Sequence, residues 1–153
     1  MLHLALFYVA LLLACGYALW GGGGPERATA GTMLAGVATT WLTLSAPAVR
    51  YRQPESVTLA IDLAVLAAFV AIAIRANRRW PIAIAALHGL SVAAHLSRAV
   101  QPDMIRVVYK TMMVVWVYPQ LLILAIGVRR HRARRRTSGA DPSWSTYSRR
   151  SSA

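Results

Sequence analysis

Five apolar runs, Leu2 to Trp20, Thr29 to Val49, Val57 to Ile74, Pro81 to Ser97 and Val107 to Val128, divide the chain, and its charged residues gather in the short stretches around them. Each run is close to the ~20 residues that carry a helix across ~30 Å of hydrocarbon. A lipid interior has no water to solvate charges or bare peptide groups, so such a pattern restricts the chain to segments that satisfy their own backbone. Composition agrees: 57% of the 153 residues are hydrophobic and only 14% are charged, an apolar excess over ordinary soluble domains. The expected fold is all-α, a polytopic transmembrane bundle of about five helices over residues 1–128. A disordered basic C-terminal tail is expected over residues 129–153, which are rich in Arg and Ser and poor in apolar residues.

The second run is the least apolar, diluted by Thr29, Thr32, Thr39, Thr40, Thr43 and Ser45, but such hydroxyls can bond back to their own helix. The first run contains "LLAC" at residues 12–15, loosely like a lipoprotein cleavage box. No Lys or Arg precedes it, so it is read as a spanning helix rather than a secretory signal. Cys15 is the only cysteine and has no disulfide partner in the chain.

The linkers "GGGGPER", "RYRQPE", "RANRRW" and "RAVQPDMIR" are short, which makes successive helices antiparallel neighbours. With the tail in the cytoplasm, Arg27, Arg75, Arg78, Arg79 and the eight tail arginines lie inside, against Arg50, Arg52, Arg98 and Arg106 outside. Loops alone are balanced, so orientation rests on "RRHRARRR" directly after the fifth run. Five crossings then put the N-terminus outside. Within that cluster Arg129, Arg130, Arg132, Arg134, Arg135 and Arg136 are the candidates for contact with anionic lipid headgroups. A basic run without an aromatic-interleaved platform does not make a nucleic-acid site.

Small residues at four-residue spacing form three stripes: Gly31, Ala35, Thr39 and Thr43; Ala60, Ala64 and Ala68; Ala85, Gly89, Ala93 and Ser97. These are expected at contacts between the helices of the bundle. Trp41 and Trp116 are too deep in their runs for the headgroup level and are expected to pack between helices. Pro119 is expected to kink the fifth helix, with Gln120 or a hydroxyl covering the freed carbonyl.

Polar residues inside apolar runs are candidates for function. His88, Ser91 and His95 share one face of the fourth run, and Glu55, Thr58 and Asp62 one face of the third. Counting ~1.5 Å of rise per residue from the loops puts Asp62, His95 and Lys110 at one depth, and His88 too deep to join them. The candidate intramembrane cluster is thus Asp62, His95 and Lys110, with Ser91 and His88 on the adjoining helix face. Asp62 is expected to pair with Lys110 or to bond to His95, holding three helices together.

Several activities fit poorly. His88 and His95 stand ~10 Å apart on one side of one helix and cannot clamp a single haem iron between them. His3 could supply an opposing ligand only to His95. "GLSV" has Val92 where the serine segment of rhomboid proteases has glycine. No nucleophile, base and oxyanion donors come together, so no enzyme, metal site or cofactor is expected.

"WGGGGPER" at 20–27, "IDLA" in the third run, "RRWPI" at 78–82, "AHL" in the fourth, "WVYP" at 116–119 and "GADPSW" at 139–144 together resemble a group of short, uncharacterised bacterial multi-pass inner-membrane proteins. The resemblance implies a multi-pass protein of the bacterial inner membrane. It supplies no catalytic residue and no cofactor. The function expected is that of an accessory, scaffold or assembly component contacting another membrane protein or further copies of itself. The alternative is proton or small-cation translocation through the Asp/His/Lys cluster.

Overall fold

The computed structural model describes residues 2–43, 56–100, 111 and 115–145. These residues form five helices: α1 (Leu2–Gly21), α2 (Gly24–Leu42), α3 (Ser56–Arg75), α4 (Trp80–Val100) and α5 (Val117–Ser138). Among the described residues there is no strand, only an isolated antiparallel bridge between Ala76 and Trp144. Successive helices pack side by side, α5 returns to α1, and α2 touches α5 across the ring. The short turns at Gly22–Gly23 and Ala76–Arg79 enforce this antiparallel order, and both turns lie at the same end of the bundle.

Local chemistry explains where the helices begin. Pro25 stands in the first turn of α2 and Glu26 beside it, where a missing N–H costs nothing and an acid complements the helix dipole. The threonine hydroxyls of α2 bond back as expected, Thr32 Oγ1 to Ala28 O and Thr40 Oγ1 to Gly36 O, both at 2.9 Å. Pro119 falls in the first turn of α5, which begins at Val117; the expected kink of the fifth run involves residues 112–114, which lie outside the described residues. Gln120 Nε2 donates to Trp116 O at 3.1 Å, covering a carbonyl at that end.

The core is built from Leu11, Cys15 and Ala18 of α1, Ala30 and Met33 of α2, Phe69 and Ile72 of α3, Ile84 and Ala85 of α4, and Leu121, Leu124 and Val128 of α5. In α3 and α4 these lie in the half of the helix nearest the two turns, whereas Leu121 and Leu124 lie in the half of α5 farther from them. Outside, large apolar side chains are exposed, among them Leu13 at 70%, Ile74 at 75% and Leu122 at 62%. Two helical segments, Ser56–Arg75 and Trp80–Ser97, are long and apolar enough to cross a membrane, with mean hydropathy 2.6 and 1.3.

Three expectations are corrected here. Residues 129–138 are not a disordered tail but the continuation of α5, and residues 139–145 fold back onto the turns of the bundle. Composition averaged over the tail concealed that its one acid, Asp141, has partners to bind. Secondly, the small-residue stripes do not mainly line helix contacts: Gly31, Ala35, Thr39, Thr43, Ala60 and Ala64 are exposed, and of the third stripe only Ala85 is buried. The α2–α3 contact runs instead through Gly36, where a Cβ would come within 2.9 Å of Val65 Cγ2. Thirdly, Trp41 is 56% exposed rather than enclosed, held at its indole N–H by the Tyr8 hydroxyl.

Candidate functional site

The first polar cluster joins α3 to α4. His95 Nε2 lies 2.8 Å from Asp62 Oδ2, with the imidazole 2% and the carboxylate side chain 20% exposed. His88 also reaches Asp62: its Nε2–H donates to the Asp62 main-chain carbonyl at 3.2 Å and stands 4.0 Å from Oδ1. That overturns the expectation that His88 is too deep, because depth counted between Cα positions omits both the length of an imidazole and the carbonyl as an acceptor. Phe69 meets the His88 ring edge to face, centroids 5.2 Å apart. Ser91 is buried on α4 between the two histidines. Lys110 lies outside the described residues. One carboxylate and two imidazoles can hold and pass a proton, while no group of three or more His, Cys, Asp or Glu among the described residues could hold a metal ion.

The second cluster closes the other end of the bundle. Gly139, with φ +70°, ends α5 in the left-handed region that favours glycine, and its N–H bonds to Arg135 O at 3.1 Å. The chain then turns back so that Asn77 N–H donates to Ser143 O at 3.2 Å and Ser145 N–H to Arg75 O at 2.8 Å. Trp144 rests on Gly24, where a Cβ would lie 2.5 Å from the indole nitrogen, so only glycine admits the ring there.

This fold-back delivers Asp141 to three cationic or protonable groups. Arg78 Nη2 is 2.8 Å from Oδ2, His131 Nδ1 is 2.6 Å from the same oxygen, and Arg134 Nε donates to Oδ1 at 3.0 Å. Arg78 Nε also stands 3.3 Å from Glu26 Oε1, an ion pair without hydrogen-bond geometry. The side chains of Arg78, Asp141 and Glu26 are 4%, 8% and 0% exposed. Burial alone would raise the Asp141 carboxyl, but hydrogen bonds from Arg134, Arg78 and His131, with the Arg78 charge, hold it far below the usual carboxylate range.

None of Glu26, Arg78, His131 or Asp141 stands out by periodicity or as a known constellation. One signal was present: a lone acid seven residues after Arg134 and ten after His131, in a segment otherwise basic. Five of the six pieces of sequence that carried the resemblance sort into the two clusters, "WVYP" standing apart at the start of α5. "WGGGGPER", "RRWPI" and "GADPSW" meet at the closed end, while "IDLA" and "AHL" supply Asp62 and His95. Compared with known proteins, the chain matches no family model, no curated protein and no solved structure.

The closed end should be acid-labile. Asp141 has a folded pKa below its unfolded value of about 3.9, so its contribution is full above that value and is lost as pH falls below it toward the folded pKa. Unfolding of the detergent-solubilised protein, followed by circular dichroism, should show wild type losing stability relative to Asp141→Asn as pH falls from about 4 toward 2. At neutral pH the variant should be less stable by about 3–5 kcal/mol, the scale for breaking a buried pair. A constant difference across that pH range would contradict the assignment.

Proposed function

We propose that this chain is a multi-pass protein of the bacterial inner membrane, of the kind it resembles, with its C-terminal end in the cytoplasm. It acts there as a non-catalytic accessory or assembly component that packs against another membrane-spanning helix. One observation carries the reading: α2 turns Gly31, Ala35, Thr39 and Thr43 outward, although its threonines make it the least apolar of the runs. Small and hydroxyl-bearing residues give up little by leaving lipid and allow close approach of a second backbone. A helix too polar to face hydrocarbon comfortably on its own is satisfied when a partner covers it. The arginine-rich closed end supports the cytoplasmic placement, since Arg27, Arg75, Arg78, Arg79 and the arginines of α5 gather at that one end.

A photoreactive residue at Ala35, activated in intact membranes, should give a discrete protein adduct, and one at the lipid-facing Leu13 should give none. Leucine at both Gly31 and Ala35 should abolish association without lowering detergent stability. Absence of an adduct from Ala35 and Thr39 alike would overturn the reading.

A second reading, proton translocation, is favoured by the Asp62–His95 contact at 2.8 Å, with His88 on the same carboxylate-bearing residue. Intramembrane carboxylates and imidazoles are the usual elements of proton relays. It predicts that proteoliposomes dissipate an imposed pH gradient and that Asp62→Asn stops them. No dissipation by wild type, or dissipation untouched by the substitution, would exclude it.

A further inference from the structure

At the closed end, Trp20, Gly21, Gly22, Arg27, Arg132, Arg135 and Arg136 surround an open pocket of about 440 Å³. Four guanidinium groups line it and no carboxylate does. The nearby acids are engaged elsewhere, Glu26 with Arg78, and Asp141 with Arg78, His131 and Arg134. Among the described residues, none of Arg27, Arg132, Arg135 and Arg136 forms an ion pair. Like charges gathered in this way repel unless an anion joins them.

Part of the pocket is also held in place. The Arg132 guanidinium sits over the Trp20 ring at 5.4 Å from its centroid and over Tyr17 at 5.8 Å, an arrangement that orders a long side chain before any ligand arrives. A second, smaller recess shares Arg132 and Arg136 and continues past Tyr17, Arg129 and Ala133. Trp20, 78% exposed, stands where α1 passes from apolar to charged surroundings, the level an indole takes at a bilayer surface. Leu12, Leu13 and Leu19 lie exposed on the same helix, in position to meet acyl chains.

We propose that this pocket is a phosphate-binding seat, filled by the phosphate of an anionic lipid headgroup. Arginine suits the task because its planar fork engages two phosphate oxygens at once. The seat differs from the diffuse attraction of a basic tail in its membership. It requires Arg27, a hundred residues from the tail cluster, and does not require Arg130, which is exposed and lines neither recess. It goes beyond the accessory reading and does not depend on any protein partner.

The test is native mass spectrometry of the full chain in detergent, titrated separately with phosphatidylglycerol, phosphatidylcholine, glycerol phosphate and inorganic phosphate. One phosphatidylglycerol should bind per chain, at least tenfold more tightly than phosphatidylcholine. Arg27→Gln and Arg132→Gln should each weaken it tenfold or more, while Arg130→Gln stays within twofold. Circular dichroism of each variant, matching wild type, separates loss of the seat from loss of the fold. Glycerol phosphate binding as tightly as the lipid, with the same dependence on Arg27, would keep the phosphate seat and assign it a soluble phosphoester. Equal weakening by Arg27→Gln and Arg130→Gln would overturn the proposal in favour of diffuse attraction, as would the absence of one-to-one binding of any phosphate probe.

Discussion

The carboxylate of Asp141 accepts from Arg78 in the α3–α4 turn and from His131 and Arg134 on α5, and the closed end of the bundle depends on that convergence. Ion pairs on a wet surface contribute little. This one is different because Arg78 and Asp141 are almost wholly enclosed, so solvent neither screens them nor replaces them. With Asp141 held, residues 143–145 reach the backbone of residues 75–77, and Trp144 settles on Gly24. Without it, α5 would carry a run of arginines with no acid to fold against.

In the remaining architecture the helices meet over an apolar core and also turn an apolar surface outward. Cys15, Ala18, Ala30, Leu124 and Val128 are completely buried, and further leucines and isoleucines crowd the exterior. Away from the turns Val92 and Ala94 are still buried, and polar groups add to the contact between α3 and α4. There Asp62, about 20 Å from Arg75 along α3 at ~1.5 Å per residue, binds both histidines of α4. The two polar clusters thus divide the work: one closes the charged end with an excess of positive groups, and the other ties α3 to α4 with a single acid.

How much of this could be read from the residues differs by element. Runs one, three and four match α1, α3 and α4 to within a few residues: α1 and α3 end at the Gly21 and Arg75 that close their apolar stretches, and α4 runs past Arg98 to Val100. α2 starts five residues before its apolar run, since Gly24, Pro25 and Glu26 are initiating residues and not hydrophobic ones. α5 is displaced furthest: hydrophobicity stops at Val128, but arginine is a good helix former and the helix continues to Ser138. The Asp62–His95 contact was legible from depth and helix spacing. The Asp141 cluster was not, because it joins residues far apart in sequence across two turns and a reversal at Gly139. The outward stripes of α2 show the same limit, since small residues permit close packing without saying which neighbour takes it.

Arg78 and Asp141 bind one another and so close the bundle. A double-mutant cycle tests it most directly, with Arg78→Gln, Asp141→Asn and their combination measured for unfolding free energy in detergent at neutral pH. Arg78 also faces Glu26, so its single substitution mixes two losses, and the cycle isolates the one shared with Asp141. The double variant should be less destabilised than the sum of the singles by about 1–3 kcal/mol, within the range for residues in direct contact. Additivity within about 0.5 kcal/mol would contradict it.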